Sequence, residues 1–196
     1  MEEFDDIIKI KTNNIKPGPG KILISEPFMF DYYFKRSVIL LAEHNDDGSF
    51  GVIINKPMSV GFDEIIKDFP AFKSKIFLGG PVKTDSIFFI HTLGKVIEDS
   101  MPIVEGLYWG GDINQVKEMI LLNQVDDTNL KFYIGYSGWM PKQLEMELKR
   151  DSWVVSSINS DQVMNADPDQ LWKDTLLDLG GDYKLWTKYP TEPTMN

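Results

Sequence analysis

Residues 37–57 form the stretch SVILLAEHNDDGSFGVIINKP, which decides the fold of this chain. The nearly continuous apolar run over 37–43 is typical of a strand covered on both faces. Residues 45–49 carry strong turn chemistry. The chain returns as a second strand over 50–55, and Pro57 then ends ladder pairing. The segment predicts a β-hairpin in the core of the protein.

The length of 196 residues suits one domain with short appendages. Lys16–Gly20 (KPGPG) cannot continue a helix or a central strand, so residues 1–19 are predicted to be an N-terminal arm. The domain itself is expected over residues 20–183. Residues 184–196 are expected to be a C-terminal tail that is rich in Pro and Thr.

Outside the hairpin the pattern alternates between short strands and amphipathic helices. Strands are predicted over 21–25, 75–78, 86–91, 131–136 and 153–158, and helices over 62–69, from Asp112, over 141–149 and over 167–179. These elements do not alternate as regular βαβ units. The expected fold is therefore a single α+β domain with a mixed, largely antiparallel sheet and helices packed outside it.

Composition excludes several classes of protein. The absence of cysteine removes disulfide scaffolds, thiol catalysis and cysteine-held metal clusters. Two distant histidines predict no metal site, and no motif predicts a cofactor. The chain has no apolar run of membrane-spanning length and no signal-peptide pattern, which favours a cytoplasmic protein. A net charge of −10 disfavours direct nucleic-acid binding.

A set of short motifs follows in a characteristic order along the chain. They are GKILIS at 20–25, FKRSV at 34–38, EHN at 43–45, GVIINKP at 51–57, GGPV at 79–82, GYSGW at 135–139 and QLEMEL at 143–148. Together they closely resemble the YqgE/AlgH family of small bacterial proteins, over residues 20–181. Ser25 and Ser137 stand where alanine is frequent in that family.

The resemblance implies an α+β domain of coiled, bifurcated β-sheets with helices outside. It implies no established activity. Some family members are labelled transcriptional regulators, although no DNA-binding motif belongs to the family pattern.

His44 and Asn45 lie where the first hairpin strand becomes the turn. His44 could act as a general base, or both residues could support the turn by hydrogen bonds, which is the favoured interpretation. His44 and Asn55 are expected to lie at the same end of the hairpin. Lys56, next in the chain, could bind an anion, or Asn55 and Lys56 could only support the loop.

The sequence GYSGW at 135–139 is one residue short of a nucleophile elbow. A strand–turn–helix there would keep open a hydrolase that uses Ser137 as nucleophile and His44 as base. The favoured alternative is that Tyr136 and Trp139 pack against neighbours. Gly79 and Gly80 lack phosphate-loop spacing and are expected to permit either a positive φ or close backbone approach.

The absence of a complete catalytic set makes a binding or regulatory module the preferred function, and an enzyme the alternative. Its partner is expected to be a protein or a small molecule. The candidate binding residues are His44, Asn45, Asn55, Lys56, Gly79, Gly80, Tyr136, Ser137 and Trp139.

Overall fold

A computed structural model describes residues 13–190 of the chain. The strands are β1 (Lys21–Ser25), β2 (Val38–Asn45), β3 (Gly48–Ile53), β4 (Pro57–Gly61), β5 (Lys75–Leu78), β6 (Val82–His91), β7 (Met101–Val104), β8 (Leu107–Trp109), β9 (Leu130–Trp139) and β10 (Trp153–Ser157). The helices are α1 (Phe62–Ile65), α2 (Ile113–Leu121), α3 (Gln143–Lys149), α4 (Ser160–Asn165), α5 (Pro168–Leu179) and α6 (Tyr183–Trp186), with a 3₁₀ turn at Gly94–Val96.

Strand β9 joins two halves of one sheet. The strand order is β10-β1-β2-β3-β9-β6-β8-β7, and β4 and β5 attach beside this path. One edge of β9 pairs first with β5, in parallel, and then with β3, antiparallel, while the other edge pairs with β6. The sheet therefore divides along β9, and the predicted α+β class with a largely antiparallel sheet is confirmed.

The predicted hairpin forms β2 and β3. Asn45 pairs with Gly48 across a turn of two residues, and Gly48 adopts a φ of 131°. Five consecutive residues of β2, Val38–Ala42, are buried because helices or loops cover both faces of the sheet. This confirms the strand inferred from the apolar run.

Three apolar clusters fill the molecule. The largest lies between the inner face of the sheet and helices α4, α5 and α6, with Leu40, Tyr133 and Trp172 among its buried members. A second packs α1 and α2 on the half that contains β5 and β6. The third packs α3 on the outer face of β1, β2 and β3.

Four local predictions are wrong. Pro57 does not end ladder pairing, because it begins β4 and pairs with Phe77. The helix predicted over 62–69 ends at Ile65, because Ile66 is extended. Residues 135–139 do not turn, because β9 runs through them to Trp139. The next helix begins at Gln143 instead of Pro141, since Lys142 precedes it in a left-handed conformation with φ of 65°. No sharp strand-to-helix turn therefore exists at Ser137, which removes the elbow geometry.

The predicted appendages are described only in part. Residues 1–12 and 191–196 lie outside the described residues. Within the arm, the Asn13 side chain exchanges two hydrogen bonds with the backbone of Val155 on β10. Within the predicted tail, Trp186 is buried against the largest cluster. Among residues 13–190, none of the helices has the length and apolar character needed to cross a membrane.

Candidate functional site

The structure places His44 and Asn55 at opposite ends of the hairpin, so the predicted convergence is wrong. His44 pairs with Ser49 beside the turn, whereas Asn55 follows Ile53, which pairs with Ile39. The Asn55 side chain bonds to Val38, six residues from His44, or about 20 Å along an extended strand. The candidate residues thus divide between a turn end and an open end.

At the turn end, polar side chains bond to one another and to the turn. His44 Nδ1 lies 2.7 Å from Ser49 Oγ. Asn45 Oδ1 accepts a hydrogen bond from the Asp47 backbone N–H at 2.8 Å, and its Nδ2 donates to Glu43. Turn support by Asn45 is therefore confirmed, and His44 bonds to a side chain instead of the backbone.

At the open end, Asn55 joins two backbone groups. Its Oδ1 accepts from the Val38 N–H at 2.8 Å, and its Nδ2 donates to the Arg36 carbonyl oxygen at 3.0 Å. Lys56 Nζ donates to the Tyr32 carbonyl oxygen at 3.0 Å. Burial lowers the pKa of Lys56, and nearby Asp31 partly opposes that effect. Both side chains hold the loop that precedes β2.

The geometry does not join Ser137 to His44. Ser137 is fully buried, and its Oγ donates to the Gly79 carbonyl oxygen at 3.1 Å. Strand β3 lies between β2 and β9, so two interstrand spacings of about 4.8 Å separate the residues' strands. A Ser137–His44 catalytic pair is incompatible with this arrangement.

Gly79 and Gly80 permit the close backbone approach that the sequence predicts. A Cβ on Gly79 would collide with the Gly135 carbonyl oxygen, and one on Gly80 would collide with the backbone of Tyr136. The Gly79 carbonyl accepts from Ile53 N–H as well as from Ser137. Because these two residues have no Cβ, the connection between β5 and β6 can cross β9 with the two backbones in direct contact.

An open groove of about 690 Å³ lies at the turn end. Its floor consists of four half-buried aromatic rings from four strands, Phe50, Phe88, Trp109 and Tyr136. Ring centroids are 5.3 Å apart for Phe50–Trp109, 5.6 Å for Trp109–Phe88, 5.4 Å for Phe88–Tyr136 and 6.1 Å for Tyr136–Phe50. The rings pack edge to face or stacked, which makes a continuous aromatic surface.

Charged residues border this floor. Glu43 and Asp47 contribute two carboxylates from β2 and the turn, and Lys83 contributes one ammonium from β6. Gly138 pairs with Phe50 and leaves the floor open, since a Cβ there would lie 3.2 Å from the Tyr136 ring. Of the candidate binding residues, the structure brings Asn45, Tyr136 and Trp139 to this groove.

The Trp139 side chain belongs mainly to the core. It is 6% exposed, and its Nε1 donates to Glu147 Oε2 at 2.8 Å. The same oxygen accepts from Trp153 Nε1 at 2.8 Å, and Gln143 donates to the other carboxylate oxygen. Glu147 thus fastens α3 to the outer face of the sheet, a role that no local sequence pattern indicates.

His91 is a buried core residue that lies next to the groove. Its Nδ1 accepts from the Leu93 N–H at 3.2 Å, so the proton lies on Nε2, 3.0 Å from the Gly110 carbonyl oxygen. Burial lowers the pKa of His91, and the bond to Gly110 partly offsets this. The neutral ring stacks on Tyr108, which adjoins Trp109 of the floor.

Lys131 was missed by sequence reasoning. It is 8% exposed on β9, and its Nζ donates to the Val163 carbonyl oxygen at 3.1 Å and lies 5.1 Å from the Phe77 ring centroid. Burial lowers its pKa to about 8. The signal was its position two residues before Tyr133, on the inward face of β9. Within residues 13–190, no cluster of three His, Asp or Glu side chains could hold a metal ion.

The fold and the groove define a class: a small α+β protein whose sheet divides along a shared strand and carries an aromatic groove at one hairpin end. The family model described as AlgH-like (DUF179) matches residues 22–184. The chain is 46% identical to a UPF0301 protein of Parabacteroides distasonis and 44% identical to one of Bacteroides thetaiotaomicron, each over the full length of both chains. The chain belongs to the AlgH-like, UPF0301 family, which confirms the resemblance.

Two solved structures share the fold. A protein of Corynebacterium diphtheriae aligns with a TM-score of 0.72 at 21% identity, over 92% of this chain and 95% of that one. The solution structure of the AlgH protein from Pseudomonas aeruginosa aligns with a TM-score of 0.67 at 24% identity, over 91% and 98%. These similarities extend to nearly the whole domain.

Proposed function

We propose that this protein is a binding module that holds a segment of a partner protein in the groove at the turn end. The aromatic floor carries the proposal, because a contiguous surface of partly exposed aromatic rings that lines a groove is typical of sites of recognition. A volume of about 690 Å³ is within the range of ligand sites. A regulatory role in the cytoplasm would act through this partner.

The rim specifies the chemistry of the occupant. Two carboxylates, Glu43 and Asp47, face one ammonium, Lys83, on a chain with a net charge of −10. Ring faces and carboxylates both attract cations. The proposed occupant is a peptide segment that carries Arg or Lys beside an apolar side chain, and the same charges oppose nucleic acid.

A peptide array tests this proposal. Short peptides would place Arg, Lys, Glu or Ser beside Leu, Phe or Tyr, and binders would be titrated against isotope-labelled protein by NMR. The proposal expects binding by the basic peptides, with shifts of the Trp109 indole N–H and the Gly138 amide. Acidic binders, or shifts confined to another face, would contradict it.

Rim variants sharpen the test. Glu43→Gln combined with Asp47→Asn should weaken binding of a basic peptide about fivefold, because each exposed charge contributes a fraction of a kcal/mol. Lys83→Gln should strengthen it. Asp178→Asn, on the exposed side of α5, is the matched control and should change nothing. Equal affinity across all of these proteins would overturn the charge argument.

A further inference from the structure

A second cavity, of about 440 Å³, opens at the other end of the hairpin. Its cations are Arg36, from the loop before β2, Lys56, from the loop after β3, and Lys173, from α5. Asp169 is the acidic residue among its lining residues. The lining side chains thus carry two net positive charges on a strongly acidic protein.

Arg36 is held in place but keeps donor capacity. Its guanidinium carbon lies 4.8 Å from the Trp172 ring centroid, and its Nη2 donates to the Tyr189 carbonyl oxygen. Its Nε is buried and has no hydrogen-bond partner among the described residues. A ligand in the cavity can therefore contact Arg36 only through the accessible part of its guanidinium, because Nε has almost no accessible surface.

The two lysines differ in how firmly they are held. The Lys56 ammonium donates one N–H to the Tyr32 carbonyl oxygen, which leaves its other two N–H groups available to a ligand. The Lys173 side chain is exposed on α5 and, within residues 13–190, forms no hydrogen bond or ion pair. Burial lowers the pKa of both Arg36 and Lys56, and for Lys56 the nearby carboxylate of Asp31 opposes this effect while Lys35 adds to it.

We infer that this cavity binds a small phosphate monoester, with Arg36, Lys56 and Lys173 around the phosphoryl group. A phosphate monoester carries a charge of about −1.5 to −2 at neutral pH, which balances the excess charge of the site. The cavity exceeds the needs of inorganic phosphate, and Asn55, Gln170 and Thr187 offer polar contacts to the rest of the ligand. This inference does not depend on the proposed function of the groove.

Calorimetric titration tests the inference with three probes: inorganic phosphate, glycerol phosphate and glycerol. We expect glycerol phosphate to bind more tightly than inorganic phosphate, glycerol not to bind, and both phosphate affinities to fall as salt rises. Binding by inorganic phosphate alone would assign the site to the free anion instead of an ester. Absence of phosphate binding at millimolar concentrations would overturn the site.

Charge-removing variants locate the binding. Lys173→Gln, on an exposed helix position, and Lys56→Gln should each weaken glycerol phosphate binding about tenfold, as for loss of a charge-assisted hydrogen bond. Lys95→Gln, an exposed lysine outside the cavity, is the matched control and should leave binding unchanged. The Glu43→Gln, Asp47→Asn groove variant should also bind normally. Equal losses in Lys95→Gln and Lys173→Gln would show nonspecific attraction and overturn the inference.

Discussion

The two ends of the β2–β3 hairpin share the same strands but have opposite chemistry. At the turn end, the groove has an aromatic floor and more carboxylates than ammonium groups. At the open end, three cations and one carboxylate line the cavity. The hairpin register keeps these ends about 20 Å apart. Residues close in sequence, such as Asn45 and Asn55, therefore line separate cavities of opposite charge.

Gly51→Ala should disrupt both ends together and have the largest effect. A Cβ on Gly51 would collide with the Leu40 carbonyl oxygen in the middle of the hairpin. Because backbone must move, we expect a loss of about 3 kcal/mol or more in the free energy of unfolding. Urea denaturation measures it. Gly18→Ala, which meets nothing within 4 Å, is the control, and an equally small loss at both positions would contradict the packing argument.

Asn55→Ala, at the open end, should reduce the free energy of unfolding more than Asn45→Ala does at the turn end. It leaves the Val38 N–H and the Arg36 carbonyl without their side-chain partner, so we expect a loss of about 2 kcal/mol. Asn45→Ala, which frees an exposed turn amide, should cost less than about 1 kcal/mol. Paired urea titrations give both values. Equal losses in the two variants would contradict this expected difference between the two ends.

Lowering the pH should reduce the free energy of unfolding, because the buried ring of His91 must then compete with a protonated ring in the unfolded chain. The fold favours neutral His91, whose pKa is lowered by burial, while the unfolded chain binds the proton at a pKa of about 6.5. Stability from this group is therefore complete above about pH 6.5 and declines as pH falls toward the lowered pKa, by at most about 1.4 kcal/mol per pH unit.

Urea unfolding at several pH values would measure this slope. His91→Gln keeps a nitrogen donor near the Gly110 carbonyl and should remove the contribution. His44→Gln, at the turn end itself, should retain it. An unchanged slope in His91→Gln would show that other groups cause the acid sensitivity.

Ser137→Ala should have only a small effect on stability and none on peptide binding. The hydroxyl donates one hydrogen bond to the Gly79 carbonyl, which still accepts from Ile53 N–H in the variant. We expect a loss of about 1 kcal/mol and unchanged peptide binding in the groove. Thermal unfolding and the peptide titration measure these. Loss of a hydrolytic activity in this variant would revive the serine hypothesis.

The hairpin could be predicted because its signals are local. The apolar run before the turn and the polar residues 45–49 specify two strands without information from the rest of the chain. The position of the turn also determines how the residues of β2 and β3 pair. That pairing places Asn55 beyond Ile53 and therefore near Val38. The prediction that His44 and Asn55 lie at the same end of the hairpin was thus wrong because the pairing register was misjudged, although the sequence contained the information needed.

The groove could not be predicted in the same way. Its floor joins Phe50, Phe88, Trp109 and Tyr136, which lie far apart in the chain and meet only through the pairing of β3, β6, β8 and β9. Local periodicity says which face of a strand is apolar, but not which strands become neighbours. The cation cavity likewise depends on α5 packing beside the hairpin.

The position of β9 also has a consequence for synthesis of the chain on the ribosome. Strands β3, β5 and β6 are all made before residue 130, and each needs β9 as its neighbour. Until that strand emerges, their unpaired edges are open to other chains, which is the situation that favours aggregation and chaperone capture. The edges of these strands are therefore protected from other chains only after β9, which is synthesised late, has emerged and paired with them.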